Sequence, residues 1–136
     1  MILKHSLIKY HIGSIVWAGI ILLLSGLPSG NFPDLSFWNF LTFDKFAHAL
    51  FYAVLVVLIA IGEVKHHRFS SKRSQSLTKG LLVGFAFGLL IELLQAVFFV
   101  GRSADWADVV ANTIGCLIGV IYFKWNYNIC LNTIRW

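Results

Sequence analysis

The sequence predicts an all-α polytopic membrane protein: a bundle of four transmembrane helices with both termini in the cytoplasm and an interfacial outer loop. Three observations support this fold class: 58% of the 136 residues are hydrophobic, only 12% are charged, and the mean hydropathy is +0.77. Soluble domains usually carry about 25% charged residues, so the partner that this composition requires is a lipid bilayer. The length fits one domain, residues 1–136, without a separate soluble module.

Four apolar stretches approach the length of about 20 residues that crosses a bilayer as a helix. They cover approximately residues 7–27, 46–61, 81–100 and 106–125. The second stretch is short in strictly apolar residues and extends at its start through Phe40, Leu41 and Phe43. The fourth stretch is interrupted by Asp108 and Asn112, so hydropathy alone ranks it lowest of the four.

The basic residues predict the orientation of these four stretches. Nine of the eleven Lys and Arg residues fall on one side, and only Lys45 and Arg102 fall on the other. Short loops rich in Lys and Arg stay in the cytoplasm, which places both termini inside and Lys45 and Arg102 outside. The net charge of +5 is therefore interpreted as a topology pattern, and no nucleic-acid partner is expected.

The predicted outer loop, residues 28–43, is rich in aromatic side chains. They are Phe32, Phe37, Trp38, Phe40 and Phe43. Aromatic rings collect at the membrane interface because they are largely apolar and, in Trp, keep one polar group. The loop is thus expected to lie on the outer leaflet, and a lid over a site beneath it is the sharper hypothesis.

Polar residues recur at helical spacing on the second, third and fourth stretches. They are Lys45, His48 and Tyr52 on the second, Glu92 and Gln95 on the third, and Asp105, Asp108 and Asn112 on the fourth. Spacings of three, four and seven residues place side chains on one helical face. Each face is predicted to turn inward, since contact with lipid would leave the polar groups unpaired.

A rise of about 1.5 Å per residue predicts the depths of these side chains. Asp44, Lys45 and Asp105 are expected at the outer surface, His48, Gln95 and Asp108 one level below, and Tyr52, Glu92 and Asn112 deeper again. The face of the fourth stretch continues through Gly115 and Gly119, a GxxxG-type surface that favours close helix contact. We expect this surface to pack within the monomer.

The outer half of the bundle carries more carboxylates than cations. The carboxylates are Asp44, Glu92, Asp105 and Asp108, and the cations are Lys45 and Arg102. Protonation of a carboxylate, charging of His48 or binding of a cation would relieve the excess. The carboxylate oxygens and the imidazole nitrogens of His48 are hard ligands that suit a divalent cation. No HExxH motif or Cys/His ligand pair occurs. No cofactor is therefore assigned, and a divalent cation is the candidate cofactor to test.

The segments that carry these residues resemble a known family. DKFAH with Tyr52 after it, ELLQ, and RSADWADVVANTIGCLIG are similar to the pattern of the VanZ-like family of small bacterial membrane proteins. The resemblance covers roughly residues 44–119 and implies a multi-pass protein of the bacterial plasma (inner) membrane that acts at the cell envelope. The founding member is linked to low-level resistance to the glycopeptide teicoplanin, which implies an antibiotic-resistance role for this chain only as a hypothesis.

The first functional hypothesis is an outward-facing intramembrane site that binds or processes an envelope lipid, a lipid-linked glycan or a glycopeptide. His48 and Glu92 would be the acid/base pair, and Asp108 would orient His48 or hold a cation. Lys45 and Arg102 would hold a phosphate or carboxylate. The other binding residues would be Asp44, Tyr52, Gln95, Asp105 and Asn112. Whether the site catalyses a reaction is left open.

Two other hypotheses compete with this one. A small proton-coupled exporter could use Glu92, but the inner halves of the four stretches are almost wholly apolar and offer no second set of charges. A purely structural role would have the charges pair only to hold the helices together, as in Asp44–Lys45 or Arg102–Asp105. Because apolar packing is usually no less stable than a buried ionic network, this role is least expected for the deeper His48, Glu92 and Asp108.

Overall fold

The computed structural model describes residues 2–26, 37–67, 73–98 and 105–133, and every regular element within them is a helix. The helices are α1 (Ile2–Ser25), α2 (Phe37–His66), α3 (Arg73–Phe98), α4 (Trp106–Trp125) and the short α5 (Tyr127–Thr133). The first four are each long and apolar enough to cross a membrane. This confirms the predicted fold class, while the side on which the termini lie stays a prediction.

Three helices begin earlier than the apolar stretches indicated. α1 starts at Ile2, α2 at Phe37 and α3 at Arg73, against predicted starts near residues 7, 46 and 81. Residues 37–43 of the predicted outer loop therefore continue the helix of α2, because hydropathy reports the apolar length of a segment and not where its helix begins. Residues 28–36, which include Phe32, lie outside the described residues. The lid hypothesis therefore stays a prediction.

Helix α2 is the centre of the bundle. It contacts α1, α3 and α4, and half of its membrane-crossing window is buried, against 11% of the window in α1. Within the described ranges α1 packs on α2 and slightly on α3 but makes no contact with α4. Apolar residues of α2, α3 and α4, including Val56, Ile91 and Cys116, form most of the core, and Ile21 of α1 completes it. The bundle is thus a tight three-helix unit with α1 attached to one side.

Small residues set the distance between α2 and α4. A Cβ atom added at Gly119 would lie 2.5 Å from the carbonyl oxygen of Ala53, and one at Gly115 would overlap the carbonyl of Ala49. Both glycines of the GxxxG surface therefore pack against α2 in the same chain, as expected. A second row of glycines on α3 also faces α2 and α4: Gly80, Gly84 and Gly88.

The bundle has two ends, which carry different polar groups. α2 and α4 run parallel, since Ala49 and Ala53 follow the same direction as Gly115 and Gly119 that they contact. The end at which α2 and α4 begin is called the Lys45 end, and the opposite end is called the Glu63 end. The membrane-facing surface between them is apolar, with exposed side chains such as Leu23, Leu82 and Ile118.

Candidate functional site

The described polar residues at the Lys45 end come together where α2, α3 and α4 meet. They form the Lys45 cluster: Asp44, Lys45, His48, Tyr52, Glu92, Asp105, Asp108 and Asn112. Helical spacing aligns the members on each helix, and the close contact of α2 with α4 brings two of the rows together. Arg102, the other predicted member of the site, lies outside the described residues.

The ammonium of Lys45 joins α2 to the start of α4. Its Nζ donates to Oδ2 of Asp105 at 2.8 Å and also to Oδ1 of Asp108. The other oxygen of Asp105, Oδ1, accepts from the backbone N–H of Ala107 at 2.9 Å and so caps the N-terminus of α4. Negative charge is favourable at a helix N-terminus, so Asp105 and Asp108 stabilise the helix that presents them. The pairing that the sequence suggested for Lys45, with Asp44, is not the one that forms.

Asp105 is held in its charged form. The hydrogen bond from Lys45, followed by the bond from the Ala107 N–H, lowers the pKa of the Asp105 carboxyl below its ordinary value. Its side chain is 39% exposed, so solvent screens the interaction and its contribution to stability is modest.

His48 is oriented by Asn112. The ring nitrogen Nδ1 lies 3.0 Å from Oδ1 of Asn112, and Nε2 lies 3.7 Å from Oδ1 of Asp44. An amide oxygen only accepts hydrogen bonds, so Nδ1 is the donor in this pair and Nε2 is the nitrogen left to bind a metal. The geometry gives the orienting role to Asn112, whereas the sequence had suggested Asp108.

Three buried polar atoms in this cluster have no hydrogen-bond partner within the described residues. They are the hydroxyl of Tyr52, Oε1 of Glu92 and Nδ2 of Asn112. The three residues are only 1%, 4% and 2% exposed. An unsatisfied buried polar atom costs about 1–3 kcal/mol and in native proteins usually marks a ligand, water or functional role. Each of the three helices contributes one such atom.

Glu92 is tied to the start of α4 by its other oxygen. Oε2 accepts from the backbone N–H of Asp105 at 3.3 Å. The carboxylate also lies within electrostatic range of Asp108, His48 and Lys45. Glu92 therefore adds a third helix to the cluster. Its Oε1 accepts no hydrogen bond from a described residue and is available to a ligand.

Gln95 makes a contact with α1 that its position in the sequence did not predict. Its Nε2 donates to the backbone carbonyl of Ser25 at 3.2 Å, across the interface between α3 and α1. The side chain is 1% exposed and fastens α1 at the Lys45 end. In this geometry Gln95 is a link between helices, and its predicted contact with a substrate stays untested.

The hydrogen bonds between α2 and α4 join residues one helical turn away from the predicted pairs. Depth counting paired His48 with Asp108 and Tyr52 with Asn112, whereas the hydrogen bonds join Lys45 to Asp108 and His48 to Asn112. Ligand atoms of His48 and Asp108 still lie within 4.8 Å of each other. The counting assumed that the apolar stretches begin at one level. Contact of the α4 glycines with α2 sets the register instead, and it brings Asp108 up beside Lys45.

Comparison with known families gives one match that covers most of the chain. A family model described as VanZ/LLP1 matches residues 10–129. The chain belongs to the VanZ/LLP1 family. The match contains the whole Lys45 cluster and confirms the resemblance that the three short motifs indicated. Comparisons with curated proteins and with solved structures give no match.

The Lys45 cluster of this VanZ/LLP1 protein contains one group that could hold a metal ion. Ligand atoms of Asp44, His48 and Asp108 all lie within 4.8 Å of one another. His48 offers Nε2, with Nδ1 already bonded to Asn112, as metal-binding imidazoles usually do. Hard N and O ligands of this kind suit a divalent cation. Lys45 already bonds to Asp108 and competes for it. Glu92 and Asp105, the other two suggested ligands, are not part of this group within the described residues.

The sequence interpretation missed a second polar cluster, at the Glu63 end of this VanZ/LLP1 protein. Glu63 lies on α2 just beyond the predicted end of its apolar stretch, and Oε2 accepts from Nζ of Lys79 at 2.7 Å. His11 of α1 and His67 bring Nε2 atoms to 3.8 and 3.5 Å from the same carboxylate. Glu63 and Lys79 lie beyond the bounds predicted for the second and third stretches but inside α2 and α3, so a second set of charges stands at this end of the helices. The indication available in the sequence was one acidic residue within a strongly basic segment.

Proposed function

We propose that this protein binds an envelope lipid, a lipid-linked glycan or a glycopeptide in the Lys45 cluster. The observation that supports this is the set of three unpartnered buried atoms, which come from three helices. They offer a hydroxyl, an amide donor and a carboxylate acceptor, a mixture that matches the hydroxyl and amide groups of glycans and peptides. Such atoms are costly without a partner, so a ligand that pairs with them gains affinity and selectivity.

The location follows from charge and family. The basic residues gather at the Glu63 end, and the positive-inside rule then puts the Lys45 end and the cluster on the outer side of a bacterial plasma membrane. Both termini are cytoplasmic in this orientation. A lipid could reach the cluster sideways from the outer leaflet without leaving the bilayer.

The balance of charge favours a divalent cation as part of the site. Lys45 is already shared by Asp105 and Asp108, so it has little capacity left to hold a phosphate, and Asp44 and Glu92 add further negative charge. A cation held by Asp44, His48 and Asp108 would reverse the local charge where a phosphate approaches. Arg102 would add its guanidinium from the neighbouring segment. If the site also performs chemistry, His48, Glu92 and Asp108 are the residues to carry it.

Binding to defined lipids tests this proposal. We would titrate polyprenyl phosphate and a polyprenyl diphosphate-linked disaccharide onto purified protein by native mass spectrometry, with Mn²⁺ or with EDTA. Asn112→Ala should weaken the better ligand about tenfold, the effect of one lost buried hydrogen bond. The control is Thr113→Ala, the next residue, whose hydroxyl bonds to its own helix at Val109. Equal binding by both variants would refute the site assignment.

The metal dependence of binding and any chemical change in the lipid are measured with the same purified protein. Asp44→Asn and His48→Gln should each abolish the Mn²⁺-dependent part of lipid binding while leaving the EDTA-resistant part unchanged. Analysis of the recovered lipid for a changed mass separates binding from processing. Growth of a host strain with and without teicoplanin, comparing the unaltered protein with Glu92→Gln, tests the resistance hypothesis.

The exporter alternative lacks a polar path. Between the Lys45 cluster and Glu63, the described interior is apolar and includes Leu55, Val56 and Ile59 on α2. Glu92 therefore has no chain of titratable groups leading to the other end within the described ranges. Proton-driven flux into proteoliposomes that disappears in Glu92→Gln is the result that would restore this alternative.

A further inference from the structure

The Glu63 end contains a groove that the proposed function does not use. It is a cavity of about 330 Å³ lying between α1, α2 and α3. Its walls are apolar over most of their length: Ile15, Ala18, Leu55, Ile59, Val83 and Phe87. His11, Ser14 and Glu63 line it towards the Glu63 end. The groove is open at its side, and it lies within helices that cross the membrane.

Charged and titratable groups surround the mouth of this groove. We call His11, Glu63, His66, His67 and Lys79 the Glu63 cluster. One carboxylate lies among one ammonium and three imidazoles, so basic groups outnumber acidic groups at this mouth. The imidazoles form a continuous group, with ring centroids of His66 and His67 5.0 Å apart and those of His11 and His66 6.5 Å apart.

Two of these groups have capacity for a further partner. Nε2 of His11 is buried and lacks a hydrogen bond to any described residue, although it lies 3.8 Å from Oε1 of Glu63. An ammonium has three donors, and Glu63 accepts one of those of Lys79. The negative charge of Glu63 is thus compensated locally, and donors remain beside it.

The position of His11 depends on a glycine. A Cβ atom added at Gly62 would lie 2.7 Å from Nδ1 of His11 and 2.8 Å from the carbonyl oxygen of Tyr10. Without a side chain at this position, α1 can approach α2 closely enough to bring the imidazole to Glu63. The mouth of the groove is therefore formed by the packing of three helices and not by a surface loop.

We infer that this groove binds an anionic phospholipid, with an acyl chain along the apolar wall and the phosphate at the Glu63 cluster. In a bilayer, an apolar groove that opens sideways is accessible to acyl chains, and a bound chain restores the contacts that an empty groove lacks. A basic mouth adds attraction for anionic headgroups, worth about fivefold in affinity for each Lys. The same basic residues predict that this end faces the cytoplasm, where anionic lipids are exposed. The site is separate from the Lys45 cluster, and neither proposal depends on the other.

Native mass spectrometry of the full protein, titrated with phosphatidylglycerol or phosphatidylcholine, tests this inference. Val83→Trp fills the groove and should reduce phosphatidylglycerol binding about fivefold or more. Leu82→Trp is the matched control: Leu82 is the neighbouring residue on α3, is similarly exposed at 61% against 52%, and does not line the groove. Equal loss in both variants, or no loss in either, would overturn the groove assignment.

A second variant keeps the test decisive if Val83→Trp lowers the melting temperature. Lys79→Gln leaves the groove open and removes a half-exposed cation at its mouth. It should lower the preference for phosphatidylglycerol over phosphatidylcholine about fivefold with little change in phosphatidylcholine binding. An unaltered protein that binds both lipids equally would overturn the headgroup assignment.

Discussion

At the Lys45 end four carboxylates share one described ammonium, whereas at the Glu63 end one carboxylate faces an ammonium and three imidazoles. The first cluster lies where three closely packed helices meet, and several of its members, such as Glu92 and Asn112, are almost wholly buried. The second lies beside the peripheral α1, and the side chains of His67 and Lys79 are 42% and 51% exposed.

This difference in burial predicts which cluster distinguishes between ligands and which attracts ligands of one charge without distinguishing them. Buried atoms without partners discriminate between ligands, because a ligand that fails to pair with them leaves their desolvation cost in place. Exposed charges beside a groove attract a class of headgroup but distinguish its members poorly, since water and ions screen them. This contrast supports the two proposals, selective recognition at the Lys45 end and general lipid contact at the Glu63 end.

The largest expected effect comes from adding a methyl group at a helix contact. Gly115→Ala should lower the free energy of unfolding by about 3 kcal/mol, because the added Cβ overlaps the rigid backbone of Ala49 in the tight unit. Gly62→Ala should cost about 1 kcal/mol, because α1 can shift away. Unfolding in mixed detergent micelles measures both changes.

Gly19→Ala is the control for this pair. A Cβ atom there meets nothing within 4 Å, so the change should stabilise by up to about 1 kcal/mol through helix propensity alone. A larger loss at Gly62 than at Gly115 would mean that α1 is not the weaker attachment, and the contrast between the two ends would fail.

A smaller effect should come from removing one ammonium at each end. Lys45→Met leaves Asp108 buried without its cation and should destabilise the protein by about 2 kcal/mol. Lys79→Met breaks a more exposed pair and should cost less than about 1 kcal/mol. Adding Asp108→Asn to Lys45→Met should recover part of the loss, which the same unfolding measurement detects. Equal costs at the two ends would show that burial does not distinguish the clusters.

The smallest expected effect is a pH dependence at the Lys45 end. Because the folded-state pKa of Asp105 lies below its ordinary value of 3.8, its contribution to stability is fully present above that value. It is lost as the pH falls through the lower folded-state value. The unfolding free energy of the unaltered protein should therefore fall more steeply below pH 4 than that of Asp105→Asn, in which Asn can still cap α4. Parallel pH profiles would argue against a charged pair of Lys45 and Asp105.

Much of the Lys45 cluster could be predicted from the sequence, but its internal pairing could not. The spacing of Asp108 and Asn112 correctly placed them on one inward face of α4, whereas Asp105 precedes the helix as its half-exposed cap. Their partners on α2 were assigned one turn too deep, because spacing within a helix contains no information about the level of the next helix. Gln95 shows the same limit: its position on α3 was clear, but its contact with Ser25 of α1 was not.

The Glu63 cluster was missed for a related reason. The apolar stretch of α2 was ended at residue 61, which excluded Glu63 from the membrane-crossing segment, whereas the window that the structure supports extends to His66. His11 lay inside the first predicted stretch, but nothing in the local sequence indicated a carboxylate beside it. Contacts between residues 11, 63 and 79 become visible only when three helices are packed.

The sequence by itself determined the membrane class, the four crossing helices, the family and the polar face of each helix. These properties depend on hydropathy and helical period, which are local and add up along the chain. The tertiary structure alone decided the register of α2 against α4, the three buried atoms that lack partners among the described residues, and the groove under α1. Those depend on how closely particular glycines allow helices to approach, a property of two surfaces together and not of either segment alone.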